Sequence, residues 1–236
     1  MAALSIPWPL HPGHEPVASS LLRAYFETGG TGVPHYAGAA FETLGGSDPD
    51  PFRFTPTDLA AVTLLSVTVP APATIAILEP DAGSLAALLA AIPVALPLVD
   101  ADDDLLTADR SALVRLWRAL RAYPGIGRTV ASKLMARKRP SLVPMWDAVV
   151  AREFGLRESG GYWWAMRDAL RRDDLWRRAG DLVAENGLEQ RVSPLRAVDV
   201  VTWMHGRDPA ASLRAASVAG LGVPDQRRPD EVRVPG

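Results

Sequence analysis

The chain has 236 residues, 48% hydrophobic and 22% charged, with a formal net charge of −2 and no cysteine. That length supports a substantial core in one large domain or two small ones. Without cysteine there are no disulfides, no thiolate metal sites and no cysteine-ligated iron–sulfur clusters, which fits a reducing, cytoplasmic setting. Pro or polar residues interrupt every apolar run, so no membrane span is expected. The opening MAALSIPWPLHPGHEP lacks the basic start and long apolar stretch of a signal peptide.

Residues 1–16, rich in Pro and His, read as an irregular arm. Pro16 suits the first turn of a helix running to about Thr28, with Leu21, Leu22, Tyr25 and Phe26 on its buried side. Gly29, Gly30 and Gly32 end it. A loop follows to residue 54, with one short helix near Ala39–Leu44. Thr55-Pro56 is a helix start, Thr as cap and Pro in the first turn. Pro70 and Pro72 break that helix. The apolar run 73–79 fits helix or strand, and 81–91 favours helix. Residues 94–106 form an acidic, solvated connection. Thr107 or Asp109 caps the next helix, which runs to about Ala122 with Leu113, Leu116, Trp117 and Leu120 in one stripe. Further helices are expected at 147–155, 161–170, 174–186 and 195–205, and a partly ordered tail over the last thirty residues. The expected fold is all-α: a single helical domain over 17–206, an arm before it and a Pro/Arg-rich tail at 207–236.

The charge is unevenly placed. From Arg110 to Pro140 there are nine basic residues and no acidic one, leaving 16 basic and 27 acidic residues elsewhere. Such a block is a local field that attracts phosphates. Within it lies Tyr-Pro-Gly-Ile-Gly between two helices, a helical hairpin. Gly125 and Gly127 allow close approach to the backbone, and the N–H groups opening the next helix can donate to a phosphate with the helix dipole behind them. Ile126 plugs the turn. Thr129, Lys133 and Arg137 recur every four residues and share one face. Val130 stands where a dinucleotide fingerprint needs its third glycine, and a helix precedes the turn where that fingerprint needs a strand, so that reading is poor.

LRAYPGIGRTVASKL resembles the helix-hairpin-helix motif, and the segment 108–155 resembles the helix-hairpin-helix superfamily of DNA glycosylases. In that superfamily a catalytic Asp follows the second hairpin glycine at a nearly fixed distance and opens the next helix. Here Asp147 follows Gly127 by 20 positions, within Met145-Trp146-Asp147-Ala148-Val149-Val150. The chain from about Leu21 to Met204 also resembles an uncharacterised bacterial family with the same PGxG…KRP…PxxD pattern and no assigned activity. The glycosylase resemblance implies DNA as partner, with Pro124, Gly125, Ile126, Gly127, Arg128, Thr129, Lys133 and Arg137 at the backbone and Asp147 at the sugar. Strand-cutting members carry a nucleophilic Lys two positions after the second glycine. Thr129 stands there, so the implied chemistry is that of monofunctional members, hydrolysis of an N-glycosidic bond without cofactor or metal. Base excision also requires the nucleotide to be turned out into a pocket.

Blander readings stand beside these. Asp147 has the position of an N-cap, worth roughly 1 kcal/mol. Trp146, Tyr162, Trp163 and Trp164 fit a core as well as an aromatic wall. His11 and His14 have no clear third metal ligand. Asp100, Asp102 and Asp104 alternate as in a calcium loop, but Leu105 and Ser111 occupy positions that need Gly and Glu. The alternative to a glycosylase-like enzyme is a non-catalytic DNA- or protein-binding module on the same scaffold. The third reading is a purely structural domain whose basic helix is only surface.

Overall fold

The computed structural model describes residues 4–30, 32–46, 50–158 and 160–222. These residues are helical throughout and contain no strand; their one β-bridge joins Thr28 to Pro34 across a loop. The helices are α1 Glu15–Phe26, α2 Pro56–Thr63, α3 Ala71–Leu78, α4 Ala82–Ala90, α5 Asp103–Thr107 and α6 Ala112–Ala122, then α7 Arg128–Lys138, α8 Ala148–Glu153, α9 Tyr162–Arg171, α10 Leu175–Glu185, α11 Pro194–Arg207 and α12 Pro209–Val218. Among them none is long and apolar enough to cross a membrane; the apolar pair α3 and α4 is bent by 67°.

Most local signals act as the sequence implies. Thr55 caps α2 in a full capping box: its hydroxyl accepts from Asp58 N–H while the Asp58 carboxylate accepts from Thr55 N–H. The run 73–79 resolves as helix. The cap of α6 is Ser111 rather than Thr107 or Asp109. The structure adds detail to three expectations. The acidic connection contains α5, whose first turn is capped by Asp102 through Leu105 N–H at 2.7 Å. The N-terminal arm is docked, with Leu4, Trp8 and Leu10 buried in the core. The expected tail contains α12, capped by Asp208 and started by Pro209. The rest of that tail, from residue 223, lies outside the described residues.

Two groups of helices frame the molecule. In one, α11 is the hub, touching α1, α8, α10 and α12. Gly206 permits its contact with α8, because a Cβ there would stand 2.7 Å from Val149 and Glu153 side-chain atoms. In the other group α7 packs on α2 and α6, and α6 on α4 and α5.

His205, near the end of α11, is buried edge-on to Trp8, with Nδ1 2.9 Å from Ser212 Oγ. Burial pushes its pKa below the ordinary 6.5; Arg152 pushes the same way and Glu153 opposes. Below pH 6.5 the unfolded chain therefore takes up a proton that the folded chain resists. The contribution is complete above pH 6.5 and is lost as pH falls towards the depressed value. Thermal melts from pH 7.5 to 5.5 should show stability falling through this window, and His205→Gln should flatten that fall. An unchanged slope in the variant would remove His205 as the cause.

Candidate functional site

The basic run divides into an exposed part and a buried part. Arg110, Arg115, Arg118, Arg121 and Arg128 are exposed, whereas Lys133, Arg137, Lys138 and Arg139 are buried. The solvated basic face expected on α7 is therefore absent, because α7 runs through the interior and is covered on both sides from Val130 onward. Arg137 pairs with Asp58 at 3.3 Å and donates to the carbonyls of Phe41 and Leu44. Lys138 pairs with the same Asp58 and donates to Asp50 O. Arg139 is spent on the carbonyls of Leu89, Ile92 and Pro51. Burial lowers the pKa of Lys138 and Arg139. These cations lock α7 to α2 and to the ends of neighbouring segments. Placing Arg137 at a DNA strand is corrected accordingly: its guanidinium is fully engaged inside.

A short turn joins α6 to α7. Ile126 is buried, while Pro124, Gly125, Gly127 and Arg128 are exposed and Thr129 half-exposed. Gly125 has φ +84° and faces Pro70, whose Cγ would lie 2.6 Å from a Cβ added there. Both constraints demand glycine. Gly125→Ala should lower stability by roughly 1–3 kcal/mol, read as a shift in denaturation midpoint; a neutral result would mean that the turn relaxes freely. Gly127 has open space around it and leads into α7 without a side-chain cap. Among the described residues, the N–H groups of Arg128, Thr129 and Val130 have no protein acceptor. Arg128 instead lies over the Trp146 ring, 4.6 Å from its centroid.

Asp147 sits where α7, the loop after α2 and α8 meet α1 and α11. It caps α8 through Val149 N–H at 3.0 Å, and its other oxygen accepts from Lys133 Nζ at 3.3 Å. Lys133 also donates to Leu65 O at 2.9 Å. The Lys133 side chain is 5% exposed and that of Asp147 24%, so the carboxylate has an open side. That side faces a cavity of about 280 Å³. Leu65, Ser66, Lys133 and Asp147 line one wall of it, and Tyr25, Tyr36, Asp199 and Trp203 the other. Lys133 and Asp147 are thus brought together, as partners in the cavity rather than as phosphate contact and remote acid. The hairpin lies on the same helix: six residues from Gly127 to Lys133 are about 9 Å of helix rise.

The cavity wall is built on Arg196. Its guanidinium pairs with Glu42 at 2.7 Å and with Asp199, and donates to Tyr25 Oη at 3.0 Å and Gly38 O at 3.2 Å. Burial works against the Arg196 charge, but Glu42, Tyr25 and Asp199 outweigh it and hold its pKa above the ordinary value. Burial raises Glu42 and Asp199 above the usual carboxylate range, with Arg196 opposing; Asp147 adds to the rise at Asp199. Burial likewise raises Tyr25. Tyr25 and Tyr36 stack at 5.3 Å, and Trp203 meets both edge-on. None of these residues except Asp147 and Lys133 stood out in the sequence. They come from α1, the loop before α2, and α11, and no local motif joins them.

Trp146 and Tyr162 are buried, edge to face at 5.2 Å, while Trp163 and Trp164 are half-buried. The four do not wall the Asp147 cavity, which takes its aromatics from α1, α11 and Tyr36. Among the described residues no cluster of three or more His, Asp or Glu has metal-site geometry.

Comparison with curated proteins and with solved structures gives no significant match. A family model does match, over residues 18–206, and the chain belongs to that family, DUF6308, a family of unknown function.

Proposed function

We propose that the protein binds DNA through the Gly125–Gly127 hairpin and hydrolyses an N-glycosidic bond of a nucleotide turned out into the Asp147 cavity. One observation carries this reading: the half-open carboxylate of Asp147 faces a cavity with aromatic walls, one helix away from a glycine turn that presents free N–H groups. The cavity, at about 280 Å³, lies just below the usual ~300–1,000 Å³ range for ligand pockets, a size for a base rather than a large molecule. Tyr36 and Trp203 offer faces and edges for the extruded base.

In this reading Arg128 and the opening N–H groups of α7 hold backbone phosphates. Asp147 stabilises the positive charge that grows on the sugar as the bond from C1′ to the base nitrogen breaks, and accepts a proton from the water that bonds to C1′. The base leaves with the bonding electron pair and takes up a proton. Lys133 fixes the carboxylate in orientation through their ion pair. No strand cut is assigned to Lys133, whose ammonium is held by Leu65 O and Asp147. Incubation with duplexes carrying deaminated, oxidised or alkylated bases tests the reaction: release of at least one base is expected, and no release from a broad panel sinks the enzymatic reading.

A second reading keeps DNA binding without chemistry. It is favoured by the two structural tasks Asp147 already performs, capping α8 and pairing with Lys133. It predicts duplex binding that Arg128→Gln weakens, with no product formed.

A further inference from the structure

A second concavity opens on the other side of Trp146. Lys133 and Asp147 face the first cavity, whereas their chain neighbours Ser132 and Trp146 line this one, a groove of about 550 Å³. Its remaining wall comes from α6, through Trp117, Arg118 and Arg121, and from α9, through Tyr162, Trp163 and Trp164. Trp117 and Trp163 meet edge-on at 5.6 Å, and Arg121 lies over the Trp117 ring at 5.6 Å. Three of the chain's seven Trp residues on one groove, with a fourth as its floor, exceed what the core beneath them requires, since Trp117, Trp163 and Trp164 are only half-buried.

The charge of the groove has one sign. Arg118 and Arg121 stand at its edge, and none of the described residues lining it is acidic. Asp109 pairs with Arg118 on the exposed side of α6. The groove also lies beside the hairpin. Arg121 lies in the last turn of α6, just before the Pro124–Gly127 turn, and Arg128, just after it, covers the Trp146 ring that forms the groove floor. Flat aromatic faces beside arginines suit a chain that alternates planar bases with anionic links. A neutral apolar partner would make no use of the charge of Arg118 and Arg121, and a duplex cannot offer its base faces.

We infer that this groove binds a short run of single-stranded nucleic acid, two or three nucleotides, leading away from the hairpin. Bases stack on Trp117 and Trp163, and Arg118 and Arg121 take the phosphates. The inference rests on nucleic-acid binding at the hairpin but not on any chemistry at Asp147.

The test compares a blunt duplex with the same duplex carrying a three-nucleotide thymidine overhang, by fluorescence anisotropy across a salt series, with quenching of Trp fluorescence as a second readout. Wild-type protein should bind the overhang form about tenfold more tightly, one stacked base's worth of affinity. Trp163→Leu should remove this advantage. The exposed pair Arg118→Gln/Arg121→Gln, which leaves the core untouched, should remove it too and lower the salt slope for the overhang form by about 1–2. Both variants should bind the blunt duplex as wild type does. Equal affinity for the two duplexes in wild type overturns the groove and leaves the hairpin reading standing. Failure to bind either duplex overturns both. Tighter binding of a polyglutamate peptide than of the overhang, lost in the arginine variant, would reassign the groove to acidic protein segments and overturn the inference.

Discussion

Asp58→Ala should destabilise the protein by about 3–5 kcal/mol, the range for removing one partner of a buried ion pair. Asp58 is 1% exposed and is the carboxylate partner of both Arg137 and Lys138. Without it two cations remain in the interior, where hydrogen bonds to carbonyls satisfy their donors but not their charge. The same carboxylate accepts from Thr55 N–H at 2.8 Å and from Thr55 Oγ1 at 2.9 Å, so the start of α2 loosens as well. Urea denaturation measures the loss. Adding Lys138→Met to the Asp58→Ala chain should recover part of it, because an apolar side chain of similar length needs no counter-charge. A loss below about 1 kcal/mol for Asp58→Ala would place these cations in contact with water and return them to the surface as candidate phosphate contacts.

Asp147→Asn should have the largest effect on function. Any base release should fall by at least ~10²-fold, the lower bound for losing a positioned base, and further if the carboxylate charge itself stabilises the sugar cation. The fold should persist. Asn keeps an oxygen for the α8 cap, and Lys133 keeps Leu65 O. The lost ion pair accounts for about 1–3 kcal/mol. Single-turnover release and thermal melting on the same samples separate the two effects. A variant that melts like wild type and still releases base at the wild-type rate would limit Asp147 to capping.

The local parts of this fold are legible because the groups that make them are close in sequence. Thr55, Pro56 and Asp58 spell a helix start, the leucine stripe of α6 has helical spacing, and Pro-Gly-Ile-Gly spells the turn. Asp208-Pro209 carries the same kind of signal for α12, yet the composition around it reads as tail. The fate of the basic run was not legible. A charge ordinarily marks the surface, and the groups that bind Arg137, Lys138 and Arg139 lie on α2, in the loop after α4 and near residue 50. Only the tertiary arrangement joins them. The cavity was half legible for the same reason. The spacing from Gly127 singles out Asp147, whereas Tyr25, Tyr36, Arg196, Asp199 and Trp203 meet it only after α1 and α11 pack together.

The division of the basic run also narrows where DNA would touch in the proposed reading. The buried cations organise α7, and the exposed Arg128 is left for duplex phosphates at the hairpin, apart from Arg118 and Arg121 at the groove. With so few contacts, the proposed duplex binding should be weak and salt-sensitive. In the proposed reading, recognition depends on what the cavity does with an extruded nucleotide.

That dependence can be measured without knowing the target base. A duplex with a cationic pyrrolidine in place of one sugar imitates the charge of the breaking bond, and the same duplex with a neutral tetrahydrofuran is its control. Their dissociation constants should differ by at least ~10²-fold in favour of the cation, as expected for a site that stabilises the transition state, and Asp147→Asn should abolish the difference. Equal binding of the two duplexes by the wild-type protein would contradict a cation-stabilising role for the Asp147 cavity.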